Sequence, residues 1–446
     1  MNNFCRIASV ALSLVVISGC DYVPDWLGGA DEEIERLPGE RITVLPVATD
    51  LQADASLKAI PVALPAVNQN MEWPQHSGYF SSAGSNLGAS GNFSETDYAS
   101  AGDGEAFEHT LIARPVAGGG MVFAMDGEGK ISAHDMADVS TKKWVSDGVS
   151  EEDIDNANGG GLAYDQGRIY AVSGRGVVVA MDAGSGGVIW RKSGYLPFRS
   201  APRVSGNKLF AITIESELIA FDITSGEPLW SHRGIDETAG LMNAVSPTID
   251  GDTIVVPYES GELYALSAPD GRQLWTNSLA VGKRTLASAI FAGIGGDPVI
   301  DGTVVFAASS GGLLAVYDMP YGQPLWQKQV SSVNTPWVSG DYLFVLTADN
   351  TLVAFVKYDG RIRWATRLPS FENEEKKLDS IFWRGPLLAN GKLAVVSSRG
   401  ELRLYSAADG TLDSTIDVAD DIYTAPIVVG GKMYLINKSA ELYSLQ

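Results

Sequence analysis

Ala201-Pro202-Arg203-Val204-Ser205-Gly206-Asn207-Lys208-Leu209-Phe210-Ala211-Ile212 opens a unit that continues through Glu217-Leu218-Ile219-Ala220-Phe221-Asp222 and ends on Ser225-Gly226-Glu227-Pro228-Leu229-Trp230. Its short apolar runs are strand-like, and the breaks between them hold glycine and small polar residues suited to tight turns. The unit recurs with Pro247, Gly251 and Trp275, with Pro298, Gly302 and Trp326, and with Pro336, Gly340 and Trp364. Earlier copies carry Pro115 with Trp144 and Gly161 with Trp190, and later ones carry Pro386 with Gly391 and Pro426 with Gly431. That makes eight copies.

The tryptophans lie 46, 40, 45, 51 and 38 residues apart, a period that fits one four-stranded blade per repeat. Asp250-Gly251, Asp301-Gly302, Asp359-Gly360, Asn390-Gly391 and Asp409-Gly410 favour tight hairpins, because these residues tolerate positive φ. Nothing of helical period interrupts the strands. The sequence therefore predicts an all-β, eight-bladed β-propeller of four-stranded antiparallel blades. The last repeat stops at Leu442-Tyr443-Ser444-Leu445-Gln446, short of its tryptophan strand, while Met71-Glu72-Trp73 stands unclaimed before the first blade. The expectation is that a strand near Trp73 completes the last blade and closes the ring. Tryptophan would then occupy one fixed place in seven of eight repeats. The seventh repeat has Ser414 there, and a weaker contact is expected. A large ring at the end of each outer strand fills the wedge between blades, so these tryptophans are read as packing and not as a ligand-stacking array.

The N-terminus has a different character. Arg6 precedes an apolar run from Ile7 to Ile17, too short for a permanent membrane span, and then Ser18-Gly19-Cys20. This resembles the bacterial lipobox, which implies removal of residues 1–19 and lipidation (palmitate among the chains) of Cys20. Cys5 leaves with the signal, so the mature chain can form no internal disulfide. Residues 20–70 read as a lipidated, solvated tether: positions 21–70 hold nine acidic residues, three basic residues and five prolines. Residues 71–446 are assigned to the propeller.

With 54 Asp and Glu against 32 Lys and Arg, the chain carries −22, and loss of Arg6 takes the mature form to −23. Such a surface repels phosphate backbones, so no nucleic acid is expected as a partner. Membrane attachment would come through the lipid. The histidines, His76, His109, His134 and His232, show no metal-ligand spacing and are read as surface or loop residues. The loop from Asp153 to Gly159 breaks the calcium-loop pattern and has Tyr164 where the bidentate glutamate belongs. No nucleophile–base motif, phosphate loop or metal set is present, so the reading is a non-enzyme without cofactor or metal.

The signature Phe221-Asp222-Ile223-Thr224-Ser225-Gly226-Glu227-Pro228-Leu229-Trp230 resembles the repeats of pyrroloquinoline-quinone (PQQ) propellers. The likeness covers residues 110–446. It leaves a PQQ-dependent dehydrogenase open as an alternative, although those enzymes use a pair of adjacent cysteines that this chain lacks. Leu196-Pro197-Phe198-Arg199-Ser200-Ala201-Pro202, with Ser332-Val333-Asn334 before Trp337, resembles the BamB family, propeller lipoproteins of the outer-membrane β-barrel assembly (BAM) machinery. The resemblance implies a scaffold at the periplasmic face of the outer membrane, aiding folding and insertion of outer-membrane proteins. It implies that Leu196, Phe198 and Arg199 contact the periplasmic domains of the central β-barrel subunit, with unfolded outer-membrane proteins as further partners. Two departures stand out. Gly293 and Gly295 replace the family's Asp-x-Asp pair, leaving only Asp297 nearby, and Asp21 is an inner-membrane retention signal in enteric bacteria. A propeller binding cell-envelope polysaccharide or another envelope protein is the remaining alternative.

Overall fold

The quoted unit folds as its alternation requires. Arg203–Ser205, Lys208–Ile212, Glu217–Asp222 and Pro228–Arg233 pair antiparallel in that order. The computed structural model describes residues 51–78, 85–93, 95–104, 113–149, 159–235, 245–280, 293–419 and 421–446, all within the unit Ala48–Gln446. Cys20, Asp21, His109 and residues 153–158 of the calcium-like loop lie outside the described residues.

Eight blades are present. The first runs from Val116–Gly118 to Lys142–Ser146 and the seventh from Trp383–Ala389 to Leu412–Asp417. In each blade the first three strands bury most of their side chains, and the outer strand alternates between exposed and partly buried ones. Apolar clusters fill the wedges. One joins Phe123 and Ile131 to Val179, another Tyr170 and Val204 to Phe221, and a third Phe210 to Ile254 and Leu266.

Asp222 Oδ1 accepts the backbone N–H groups of Thr224 and Ser225 at 3.0 and 2.9 Å, shaping the turn that Gly226 completes at φ +71°. A bulge at Ala220/Phe221 sets Trp230 opposite Ala220, whose small side chain leaves room for the indole. The ring then reaches the next blade, where Trp230 Nε1 donates to Ala268 O at 3.2 Å. Trp144, Trp190, Trp275, Trp326 and Trp364 make the same bond, at 2.7 to 3.0 Å, to Ala183, Ile223, Met319, Lys357 and Ala407. Each turn glycine lies under the tryptophan of the preceding blade. A Cβ on Gly226 would come within 2.6 Å of the Trp190 ring. The packing role expected of the tryptophans is what the wedges show.

Closure differs from the expectation. The strand that completes blade 8 is Glu95–Ser100, paired with Glu441–Leu445, and not the segment at Trp73. Asp97, opposite Ser444, therefore takes the tryptophan position. Tryptophan fills that place in six repeats and not in seven. Trp73 instead bridges Ala117, on the innermost strand of blade 1, with reciprocal backbone bonds of 2.8 Å. The sequence pattern misled because one tryptophan among turn residues looks like the outer-strand motif, whereas Glu95-Thr96-Asp97-Tyr98-Ala99-Ser100 lacks it.

Residues 51–70, read as tether, pack on the propeller. Leu51 joins the apolar wedge between blades 5 and 6, Asp54 N donates to Ile362 O at 2.8 Å, and Leu57 is buried. Val62 and Leu64 cover the core, and Val67–Asn68 pairs in parallel with Asn86–Leu87, which borders the inner strand of blade 7. Proline-spaced single apolar residues escape a period-2 test, yet Leu51, Leu57, Val62 and Leu64 pack against the propeller while Ile60 and Val67 stay exposed.

Candidate partner-binding loop and central channel

The loop from Gly194 to Pro202 joins the outer strand of blade 2 to the inner strand of blade 3. It is stitched down by backbone bonds: Phe198 N to Ser173 O at 3.1 Å, Arg199 N to Ile212 O at 3.0 Å and Ile214 N to Pro197 O at 2.8 Å. Gly176 permits this approach, since a Cβ there would lie 1.9 Å from Tyr195 O. The three expected contact residues separate. Phe198 is fully buried among Tyr170, Leu209 and Phe221, with its ring 6.3 Å from that of Phe221, so it is core and not a contact. Arg199 is 8 % exposed and ion-paired with Glu259 of the second turn of blade 4. Burial pulls its guanidinium down to about 9, which leaves it charged at neutral pH. Leu196 is 38 % exposed, and Ile214, exposed on the facing turn, stands beside it. Ile214 and Glu259 went unrecognised in the sequence because they sit on turns of blades 3 and 4, away from the motif they serve, with no spacing to announce them.

Asp297 does not substitute for the absent Asp-x-Asp pair either. It is 1 % exposed and looks into the central channel, where the segment Asn70–Gly78 is laid. That segment passes along successive inner strands. Asn70 Nδ2 donates to Val428 O at 3.0 Å, Tyr164 N donates to Pro74 O at 2.7 Å, and Gln75 Nε2 donates to Val204 O at 2.8 Å. His76 Nδ1 then lies 3.0 Å from Asp297 Oδ2, Ser77 Oγ donates to the same oxygen at 2.6 Å, and Arg203 Nη2 stands 3.5 Å from it.

Burial and the nearby Arg114 push His76 below its usual range, against the pull of Asp297. It is therefore a neutral imidazole whose Nδ1–H donates to the carboxylate. Burial alone would raise Asp297, but the histidine bond and the guanidiniums of Arg203 and Arg114 hold it below the usual carboxylate range. His76, His134 and His232 are all buried or half-buried, and burial lowers each; the surface or loop reading is corrected for these three. A signal for the channel exists in the sequence. In the seven repeats that have an inner-strand proline, the residue before it is Arg114, Ala201, Ser246, Asp297, Thr335, Gly385 and Ala425, and only two of these are charged.

Comparison with known proteins agrees with this architecture. The model of a family described as "Outer membrane protein assembly factor BamB" matches residues 147–366. Proteins of that name from Yersinia pestis and Escherichia coli are 24% identical over 349 and 287 residues, spanning 77% and 64% of this chain and 86% and 71% of theirs. An uncharacterized protein of Rickettsia conorii is 27% identical over 312 residues, 68% of this chain and 74% of its own. The crystal structure of BamB from Moraxella catarrhalis superposes with a TM-score of 0.67 at 20% identity, covering 80% of this chain and 100% of that one. Over residues 147–366 the chain is similar to the BamB family. A europium-containing methanol dehydrogenase also superposes, with a TM-score of 0.65 at 13% identity over 82% of this chain and 89% of its own, a likeness of fold alone. The loop at Leu196 and the channel at Asp297 both hold buried charge, in Arg199 and in Arg203 with Asp297.

Proposed function

We propose that this protein is a non-catalytic scaffold subunit of the outer-membrane β-barrel assembly machinery, docking on the periplasmic part of the central barrel subunit. The observation that carries the reading is the loop at Leu196 in a chain similar to the BamB family. An apolar pair, Leu196 and Ile214, is held exposed on a base made rigid by Phe198 and by the Arg199–Glu259 pair. Exposed apolar side chains on a preorganised loop bind with little ordering cost. In this reading Phe198 and Arg199 shape the loop and Leu196 makes the contact. The acidic surface and the lipobox support a tethered periplasmic protein: Cys20 carries the lipid, and since packing on the propeller has begun by Leu51, the tether is no longer than residues 21–50.

A photo-crosslinker at position 196 or 214 is expected to capture the central barrel subunit in cells. Leu196→Glu is expected to weaken copurification by on the order of tenfold or more, as for an interface anchor, with unchanged Tm. Copurification indifferent to Leu196→Glu, with no crosslink from either position, overturns the docking assignment. For the anchor, fatty-acid labelling is expected to be lost in Cys20→Ala; labelling that persists removes it.

A further inference from the structure

Of the seven blades whose third and fourth strands are joined by a turn, only blades 5 and 6 place an aromatic residue in it, Tyr321 and Tyr358. At 75 % and 64 % exposure they are the two most exposed large apolar side chains among the described residues. Leu325, on the outer strand of blade 5, is exposed as well. Its neighbour Trp326 ties the two turns together, because Nε1 donates to Lys357 O at 2.8 Å. Apolar side chains gathered at one corner of a surface mark a place where something covers them.

The N-terminal segment meets the propeller at the same corner. Leu51 packs against the apolar wedge of blades 5 and 6, as Trp326 and Ile362 do. Asp54 N donates to Ile362 O at 2.8 Å, and Asp54 Oδ2 lies 3.9 Å from a nitrogen of Arg361, three residues beyond Tyr358. With Cys20 as the anchor, residues 21–50 are the whole tether, and a flexible chain of that length spans about 30 Å. Whatever surrounds Leu51 is held within that reach of the lipid. A contact too weak to bind a free protein is then populated through its high effective concentration. Tyrosine suits such a contact, since its ring enters the apolar boundary while its hydroxyl stays in water. Lys357 is already paired with Asp301 at 2.8 Å, and Arg361 with Asp359 at 2.8 Å, so neither is free for an anionic headgroup. A zwitterionic surface fits this corner.

We propose that the corner of blades 5 and 6 formed by Tyr321, Leu325 and Tyr358 rests on a zwitterionic lipid surface. The proposal rests on the anchor at Cys20 and not on the docking of Leu196. The two turns lie at the opposite strand ends from the loop at Leu196, so that loop points away from the lipid and stays free for its partner.

The test uses lipidated protein purified from cells and reconstituted into phosphatidylcholine vesicles. Cys5 leaves with the signal and Cys20 carries the lipid, so Tyr321→Cys, Leu325→Cys, Tyr358→Cys and Leu196→Cys each add a single free thiol for an environment-sensitive NBD fluorophore. Emission from positions 321, 325 and 358 should shift to the blue and be quenched by lipid carrying a headgroup nitroxide, while emission from 196 does neither. The same labelled proteins with Cys20→Ala, mixed with the vesicles, should show no shift. Tyr321→Ser with Tyr358→Ser should abolish the shift at 325 at unchanged Tm, and the paired phenylalanine substitutions should keep it. Probes at 321, 325 and 358 that report water in vesicle-bound protein overturn the proposal, as does an equal response at 196. A shift that needs added phosphatidylglycerol overturns the zwitterionic assignment. One that grows with protein density and escapes the nitroxide gives the corner to a second copy, and overturns it too. Parent protein that does not stay with the vesicles fails at the anchor and removes this proposal with it.

Discussion

Two parts of the ring hold themselves together differently. From blade 1 to blade 7 every junction is clamped by a tryptophan that donates to the next blade and covers its turn glycine. At the junctions of blade 8 the clamp is missing. Ser414 faces Leu404, so the larger residue sits on the inner partner strand and the pair conserves bulk without the cross-blade bond. Between blades 8 and 1, Asp97 approaches Asp138, while Tyr434 Oη and Lys432 Nζ donate to Met136 O and Ala137 O. What replaces the clamp is chain from outside the repeats. Trp73, Leu87 and Phe93 enter a single merged core spanning blades 6, 7, 8 and 1, whereas the other wedges are separate clusters. A ring built from repeats must close somewhere, and here the weakest junctions are where the N-terminal segment is laid.

The largest effect should come from removing that segment. A chain starting after Ser100 loses the outer strand of blade 8 and the channel segment together, and is expected not to melt cooperatively. A chain lacking residues 21–50 should keep the parent Tm. Calorimetry of the pair checks this, and equal transitions in both would mean that the closure strand contributes nothing. Next in size, Trp230→Ala removes a clamp and should cost about 3 kcal/mol, as large aromatic truncations do. Ser414→Ala at the unclamped junction should stay within about 0.5 kcal/mol, typical of partly exposed sites outside a core. Urea unfolding measures both, and similar losses would erase the distinction between junctions.

Acid should act through the histidines. His76, His134 and His232 have lowered affinities for protons in the fold, so the unfolded chain binds more protons once pH falls below about 6.5. Their contribution is complete above that value and lost as pH falls through the lower folded values. Tm should therefore drop between pH 7 and 5, and less steeply in His76→Gln. An identical slope in that variant would show that the channel histidine is not part of the effect. The smallest change concerns the closure junction: burial and Asp138 raise Asp97, so its charged form is disfavoured in the fold. Asp97→Asn should raise Tm slightly at pH 7 and not at pH 3, where the native carboxyl is protonated in both states. A fall in Tm at pH 7 would mean that the charge serves the junction.

Blade number, strand order, turn chemistry and the wedge role of the tryptophans were legible in the sequence, because each depends on contacts that recur at a fixed spacing. The Gly-x-x-x-Trp step is local to its turn and is written out five times, ending on Trp190, Trp230, Trp275, Trp326 and Trp364. The loop at Leu196 could be found as a loop, but not divided into a buried Phe198, a paired Arg199 and an exposed Leu196. That division depends on Phe221, on the third strand of blade 3, and on Glu259, on a turn of blade 4. The closing strand, the packing of residues 51–70 and the Arg114–His76–Arg203–Asp297 cluster were decided by tertiary structure alone. Each joins positions more than a hundred residues apart, used once, and a contact made only once in a ring leaves no period to read.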